Sequence, residues 1–230
     1  MTPHDMATSE TRESGVAARG PIWDLPLRLF HWALVLLIIG AWYTAENGLL
    51  DQHQAIGMTI LILLLFRLIW GFVGGSTARF SQFWSGPAKL AAYMRDRASW
   101  RAIGHNPLGS LSVFALLGAV AVQVALGLFS TDNDGLMEGP LAGLVSLDMT
   151  DTLTDLHESW FNVLLGLIGL HIAAILIYFL KGKNLVGPMV TGEGEVPPQA
   201  APLRKSRWWV ALVSLFAAWA IAGVIWSMGS

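Results

Sequence analysis

The sequence predicts an all-α membrane protein with five transmembrane helices, and three observations predict it. Of its 230 residues, 54% are hydrophobic and 13% charged, with mean hydropathy +0.54, whereas a soluble domain carries about twice that charged share. Five apolar runs, at 25–45, 55–73, 108–129, 160–180 and 208–228, each match the ~20 residues that cross a hydrocarbon core of ~30 Å. One such run could be buried in a soluble core; five cannot. All fourteen Lys and Arg residues fall on one side of the membrane if the spans alternate.

Composition also excludes. There is no cysteine, so disulfides, iron–sulfur ligation and covalently attached c-type haem are ruled out. The net charge is −2, with no basic excess of the kind that binds nucleic acid. Eleven tryptophans suit interfacial aromatic belts.

Taken in order, residues 1–20 are polar and read as a disordered tail. They carry no cleavable signal, because the next apolar run is too long and no small-residue cleavage site closes it. Asp24 and Pro26 open the first span as cap and first-turn proline, and Asn106 and Pro107 do the same for the third. Between spans two and three, Gly86-Pro87 starts a short helix. Phe80, Phe83, Trp84, Leu90 and Tyr93 mixed with bases place that segment on a membrane surface, against lipid. Residues 187–202 form a Gly/Pro-rich linker before the last helix. The segments 46–54 and 130–159 contain no Lys or Arg. The positive-inside rule therefore puts the N-terminus in the cytoplasm and the C-terminus outside.

Ionisable side chains within spans are rare and usually functional. His31 lies one to two turns into span one, on the cytoplasmic side. His53 and His157 stand at the outer ends of spans two and four, and His171 lies well inside span four. His157 and His171 are fourteen residues apart, about 40° short of four full turns and ~21 Å in rise, so both face the same way at two depths. His53 matches the depth of His157, and His31 that of His171. Paired neutral imidazoles from facing helices are what low-spin haem iron takes, whereas zinc wants four ligands at one point. Hydrogen bonding to a neighbouring helix explains any one of these histidines; four in depth-matched pairs point to ligation.

Arg28 precedes His31 by three residues and shares its face. Arg67 follows His53 by another fourteen residues and reaches the cytoplasmic level. Both are candidates to pair with haem propionates or to bind a quinone head group, while Arg28 could instead snorkel to lipid. His105, heading span three, is a candidate propionate partner or proton path to a quinone, or a surface residue. Gly57, one turn after His53, leaves room for a porphyrin or for close helix packing. Gln123 reads as an interhelical hydrogen bond.

The stretches WDLPLRLFHW (23–32), LLLFRLIWGFVG (63–74), HNPLG (105–109), LHESWFNVLLGLIGLHIAAI (156–175) and NLVGPMVTG (184–192), with the His53 region, together resemble the bacterial cytochrome b561 family. The resemblance lies with its branch of nickel–iron hydrogenase cytochrome b subunits. It covers 21–192 and implies a four-helix transmembrane haem-binding bundle with a fifth C-terminal helix outside the pattern. Segments 1–20, 193–206 and 207–230 would be tail, linker and fifth helix. It further implies two b haems, held by His31 with His171 and by His53 with His157. Implied partners are quinone and a periplasmic c-type cytochrome, dehydrogenase or hydrogenase; self-association is left open. The alternatives are a stand-alone superoxide:quinone-type oxidoreductase and a haem-free membrane anchor or transporter. The b subunit of bc complexes and ferric reductases carry two histidines on each of two helices; here span four alone does.

Overall fold

The computed structural model describes residues 18–96, 104–132, 137–196, 203 and 206–229. The expected tail at 1–17 with His4 and Arg12 lies outside the described residues. So do Arg97, Arg101, Asp134, Arg204, Lys205 and most of the expected linker.

Five helices are long and apolar enough to cross a membrane, making this an all-α multi-pass membrane protein. Helix α1, Leu25–Glu46, starts at Asp24, whose Oδ1 accepts the Leu27 amide at 2.9 Å, with Pro26 in the first turn. A tight turn at Gly48, φ +66°, returns the chain into α2, Leu50–Val73. Two short helices follow, α3 at Phe80–Phe83 and α4 at Pro87–Arg95. Asn106 caps α5, Pro107–Gly127, by accepting the Gly109 amide at 2.8 Å. A 3₁₀ turn at Ala142–Leu144 leads into α6, Leu147–Leu180. After α7, Val186–Thr191, comes the last span, α8, at Trp208–Ser227. For orientation, the end where α1 begins is the near face, and the α1–α2 turn marks the far face.

Helix α6 is longer than its apolar run. Its 34 residues rise ~51 Å, against a ~30 Å core, so its first turns project beyond the far face. Ser146 caps it and Asp148 sits in its first turn, where the helix dipole favours an acid. Along this extension Asp148, Asp151, Asp155 and Glu158 are all exposed, and their 3-4-3 spacing makes one stripe.

Helix α1 packs on α2 and α5 on α6, while α2 also contacts α5 and α8. One buried cluster joins Leu27, Phe30, Phe66, Trp70 and Ala218; a second joins Ile60, Leu64, Ala119, Val120 and Leu164. The outward faces are apolar too, with Leu36 69% and Phe72 73% exposed, as a lipid-solvated bundle requires. Ser214, Ala218 and Ala222, one turn apart on α8, are buried. Such small residues allow close helix approach. Gly223, next along the helix, is exposed.

The two ends of the bundle segment close on each other. Strand β1, Ala18–Pro21, pairs antiparallel with β2, Glu193–Val196, where tail and linker were expected. Likewise α7 occupies the start of the expected 187–202 linker. The carbonyl of Gly192 accepts the amides of Ile22 at 2.8 Å and Trp23 at 3.1 Å. Arg28 donates through Nη2 to the Val190 carbonyl, and Trp32 donates through Nε1 to that of Met189 at 3.2 Å. Gly192 has φ +87°, and a Cβ there would lie 3.0 Å from the Trp23 carbonyl oxygen, so the turn favours glycine. Arg28→Met is expected to destabilise the protein by ~1 kcal/mol, the net worth of a hydrogen bond to a solvent-accessible carbonyl. A lowered thermal midpoint in detergent, with the absorption spectrum unchanged, is the check.

Candidate functional site

His53, in the first turn of α2, and His157, in the third turn of α6, face each other near the far face. Their ring centroids are 6.1 Å apart with planes at 86°. His53 Nδ1 is 2.9 Å from the Ala41 carbonyl of α1, and His157 Nδ1 is 2.9 Å from the Gln123 carbonyl of α5. A carbonyl can only accept, so each Nδ1 carries the proton and each Nε2 is left with a lone pair. Metal-ligating histidines are held in this way by carbonyls behind them.

Gln123 also contributes its side chain. Its amide nitrogen donates to the His157 carbonyl at 2.9 Å and lies 3.3 Å from both ring nitrogens, while its buried Oε1 has no partner. This is the interhelical bond the sequence suggested. Gly127, one turn further along α5, lets the imidazole lie against the backbone. A Cβ there would come within 2.8 Å of His157 Cε1.

Near the other face, His171 of α6 places Nδ1 3.3 Å from Ser112 Oγ of α5. His31 of α1 is half-buried, its ring 5.1 Å from that of Trp32, and His171 is within electrostatic reach of it. Arg67 is 2% exposed. Its guanidinium lies 4.5 Å from the Phe80 ring centroid, and Nη1 is buried without a hydrogen-bond partner. Asp24 lies within its electrostatic reach, and Arg67 and His171 both act on His105. Arg28 is turned away from this group toward Val190, although its Nε is buried and unpartnered.

His105, just ahead of α5, is no surface residue. It is wedged between Trp23 at 4.7 Å and Phe83 at 4.8 Å, with Nδ1 buried and unpartnered. Burial first, then the Arg67 and His171 charges, lower its pKa from 6.5 to about 4. Because the folded value lies below the unfolded one, the unfolded chain takes up the proton first as pH falls. The ring's contribution to stability is therefore complete above about pH 6.5 and lost on the way down to about pH 4, at most ~3 kcal/mol. His105→Phe is expected to flatten the fall of the thermal midpoint across that window.

Among the described residues, no three His, Cys, Asp or Glu side chains converge as a metal-binding group; His53 and His157 meet as a pair. A metal–imidazole bond of ~2.0–2.1 Å sets the centroids of two opposed rings on one ion about 6 Å apart, as His53 and His157 are. A Cβ on the half-buried Gly57 would meet nothing within 4 Å, and α6 makes little backbone contact with α1 or α2 among the described residues. The anchored Nδ1 atoms, the open space beside Gly57 and the orphaned Arg67 Nη1 all fit a flat, anionic, bis-histidine-ligated group. Ser112 and Gln123 were not read from sequence as histidine partners. Their eleven-residue interval is three turns plus ~20°, which puts both on the α5 face toward His171 and His157.

A bundle of apolar helices with paired interior histidines defines a class of membrane-embedded cytochrome-like proteins. The family model described as prokaryotic cytochrome b561 matches residues 22–192, and the chain belongs to that family. The first and last matched residues, Ile22 and Gly192, are those hydrogen-bonded where the ends close. Among curated proteins, the chain is similar to a probable Ni/Fe-hydrogenase B-type cytochrome subunit of Azotobacter chroococcum, 26% identical over 210 residues. That match covers 74% of this chain and 86% of the relative. The corresponding protein of Rhizobium leguminosarum is 22% identical, with 84% and 97% covered. The probable Ni/Fe-hydrogenase 1 B-type cytochrome subunit of Escherichia coli K12 is 24% identical, with 64% and 77% covered. No solved structure matches.

Proposed function

We propose that this chain carries electrons across the bacterial inner membrane through two b haems, between the quinone pool and a periplasmic redox partner. The observation that carries the reading is the His53–His157 pair, 6.1 Å between centroids with both Nδ1 protons given to backbone carbonyls. Membership of the cytochrome b561 family and likeness to B-type cytochrome subunits support it.

His53 and His157 would hold the outer haem and His31 and His171 the inner one. When bound, each haem supplies a reversible one-electron iron couple with no open coordination site. The chain's own residues do the rest. Ala41 and Gln123 fix the ligand tautomers on the far side, Ser112 orients His171, and Arg67 offers its free Nη1 to a propionate or to a quinone head group. His105, neutral at physiological pH, supplies one N–H at the inner level.

The near face, which carries Arg28, Arg67 and Arg79, is taken as cytoplasmic. The acidic stripe of α6 then stands in the periplasm beside His157, and its field favours a basic partner surface. A c-type cytochrome fits that description, and the hydrogenase named in the relatives' descriptions, or another dehydrogenase, is the other class of partner.

Proteoliposomes test the reading. With ferricyanide trapped inside and a quinol added outside, the wild-type protein is expected to reduce the trapped oxidant. His53→Ala should stop that transfer, and transfer at the wild-type rate in this variant would refute the reading.

A further inference from the structure

Arg67 is buried to 2% exposure in a spanning helix, and its Nη1 has no acceptor. The Phe80 ring face beneath it attracts the charge but satisfies no N–H. A cation so placed needs an anion near it. Asp24 is built into that position. Its carboxylate caps α1 through the Leu27 amide and accepts Trp70 Nε1 at 3.1 and 3.3 Å. Trp70, 1% exposed, lies one turn beyond Arg67 on α2. The carboxylate is thus tied to both helices, within electrostatic reach of the guanidinium, and Arg67 and the inner-level His171 both act on His105.

We propose that Asp24 is a positioning residue that sets the reduction potential of the inner haem, by offsetting the charge of Arg67. The inner site then experiences a nearly neutral pair in place of a bare cation. Adding one electron to ferric iron from an external reductant lowers the charge there by one. A neighbouring cation therefore favours the reduced form and a neighbouring anion opposes it. The inference rests on the two-haem reading above.

The test is a mediated spectroelectrochemical titration of the full-length protein in detergent: wild type, Asp24→Asn, Arg67→Gln and the double variant. Asparagine keeps a side-chain oxygen for the cap and for Trp70, so haem content is expected to stay at the wild-type level. Asp24→Asn should raise one midpoint and Arg67→Gln lower the same one. Each shift should be about tenfold in the reduction equilibrium, 59 mV for one electron. The double variant should return to within about threefold of wild type, and the second midpoint should stay in place throughout. Neither midpoint moving in Asp24→Asn, both moving alike, or one falling would overturn the inference and leave the two-haem reading intact. A wild-type protein without haem would overturn both. If Asp24→Asn loses haem, Asp24→Ser, which keeps a cap without charge, is titrated in its place; haem loss there as well would overturn the inference.

Discussion

His157→Ala is expected to leave a protein that binds one haem per chain where the wild type binds two. The Gln123 carbonyl holds the Nδ1 proton of His157 at 2.9 Å, which leaves the Nε2 lone pair for an iron, and alanine removes that nitrogen. The remaining haem should keep the spectrum of the inner site, since His171 lies about four turns away along α6. Transfer across vesicles should fall to the background rate. His171→Ala is expected to give the reciprocal protein, with the outer spectrum retained. Haem-to-chain ratios and reduced-minus-oxidised spectra of the two variants are the check. If both variants lose the same spectral component, the two-level assignment fails.

Gly127→Val should resemble His157→Ala without touching a ligand. The smallest side chain at this position already brings a carbon within 2.8 Å of Cε1 and 3.1 Å of Nδ1 of His157. Neither neighbour is the tip of a flexible chain, and the ring is pinned to the Gln123 carbonyl behind it. Valine adds two further methyl groups, so the imidazole must rotate off its carbonyl and away from His53. The expected result is loss of more than half of the outer haem with the inner haem retained. Gly57→Ala, at a glycine whose added Cβ meets nothing within 4 Å in the protein, separates steric crowding of the cofactor from crowding of its ligand. It should lower outer-haem content while His157 keeps its hydrogen bond to Gln123. Full haem content in Gly127→Val, measured on folded protein, would show that the close approach of α5 is not needed.

Much of this fold is legible in the sequence because the bilayer makes a single demand, about twenty apolar residues per crossing. All five runs appear as helices. Helix ends were legible where a cap announced them, as at Asp24 and Asn106, and less so for α6, whose polar start at Ser146 precedes the apolar run by over a dozen residues. Depth arithmetic brought His53 toward His157, and the structure places those rings together. Arg28 and Arg67 were both candidate anion partners in sequence, yet Arg28 donates to the Val190 carbonyl and Arg67 lays its guanidinium on the Phe80 ring. Val190 lies 162 residues from Arg28, and a backbone acceptor leaves no mark in the residue types around it. The β1–β2 pair was hidden for a similar reason: four-residue strands flanked by glycine and proline carry too little pattern to stand out from a linker. Ser112, Gln123 and Gly127 were recoverable from one helix face in α5, but only with the α6 histidines set beside them.

The central claim is that four histidines from three helices hold two irons, one at each membrane level. The most direct measurement is the haem-to-chain ratio of the purified, haem-replete protein, taken with the electron paramagnetic resonance spectrum of its oxidised form. Two haems per chain, both giving low-spin ferric signals of bis-imidazole type, are predicted. A single haem, a high-spin iron with an open position, or a colourless protein would contradict the account.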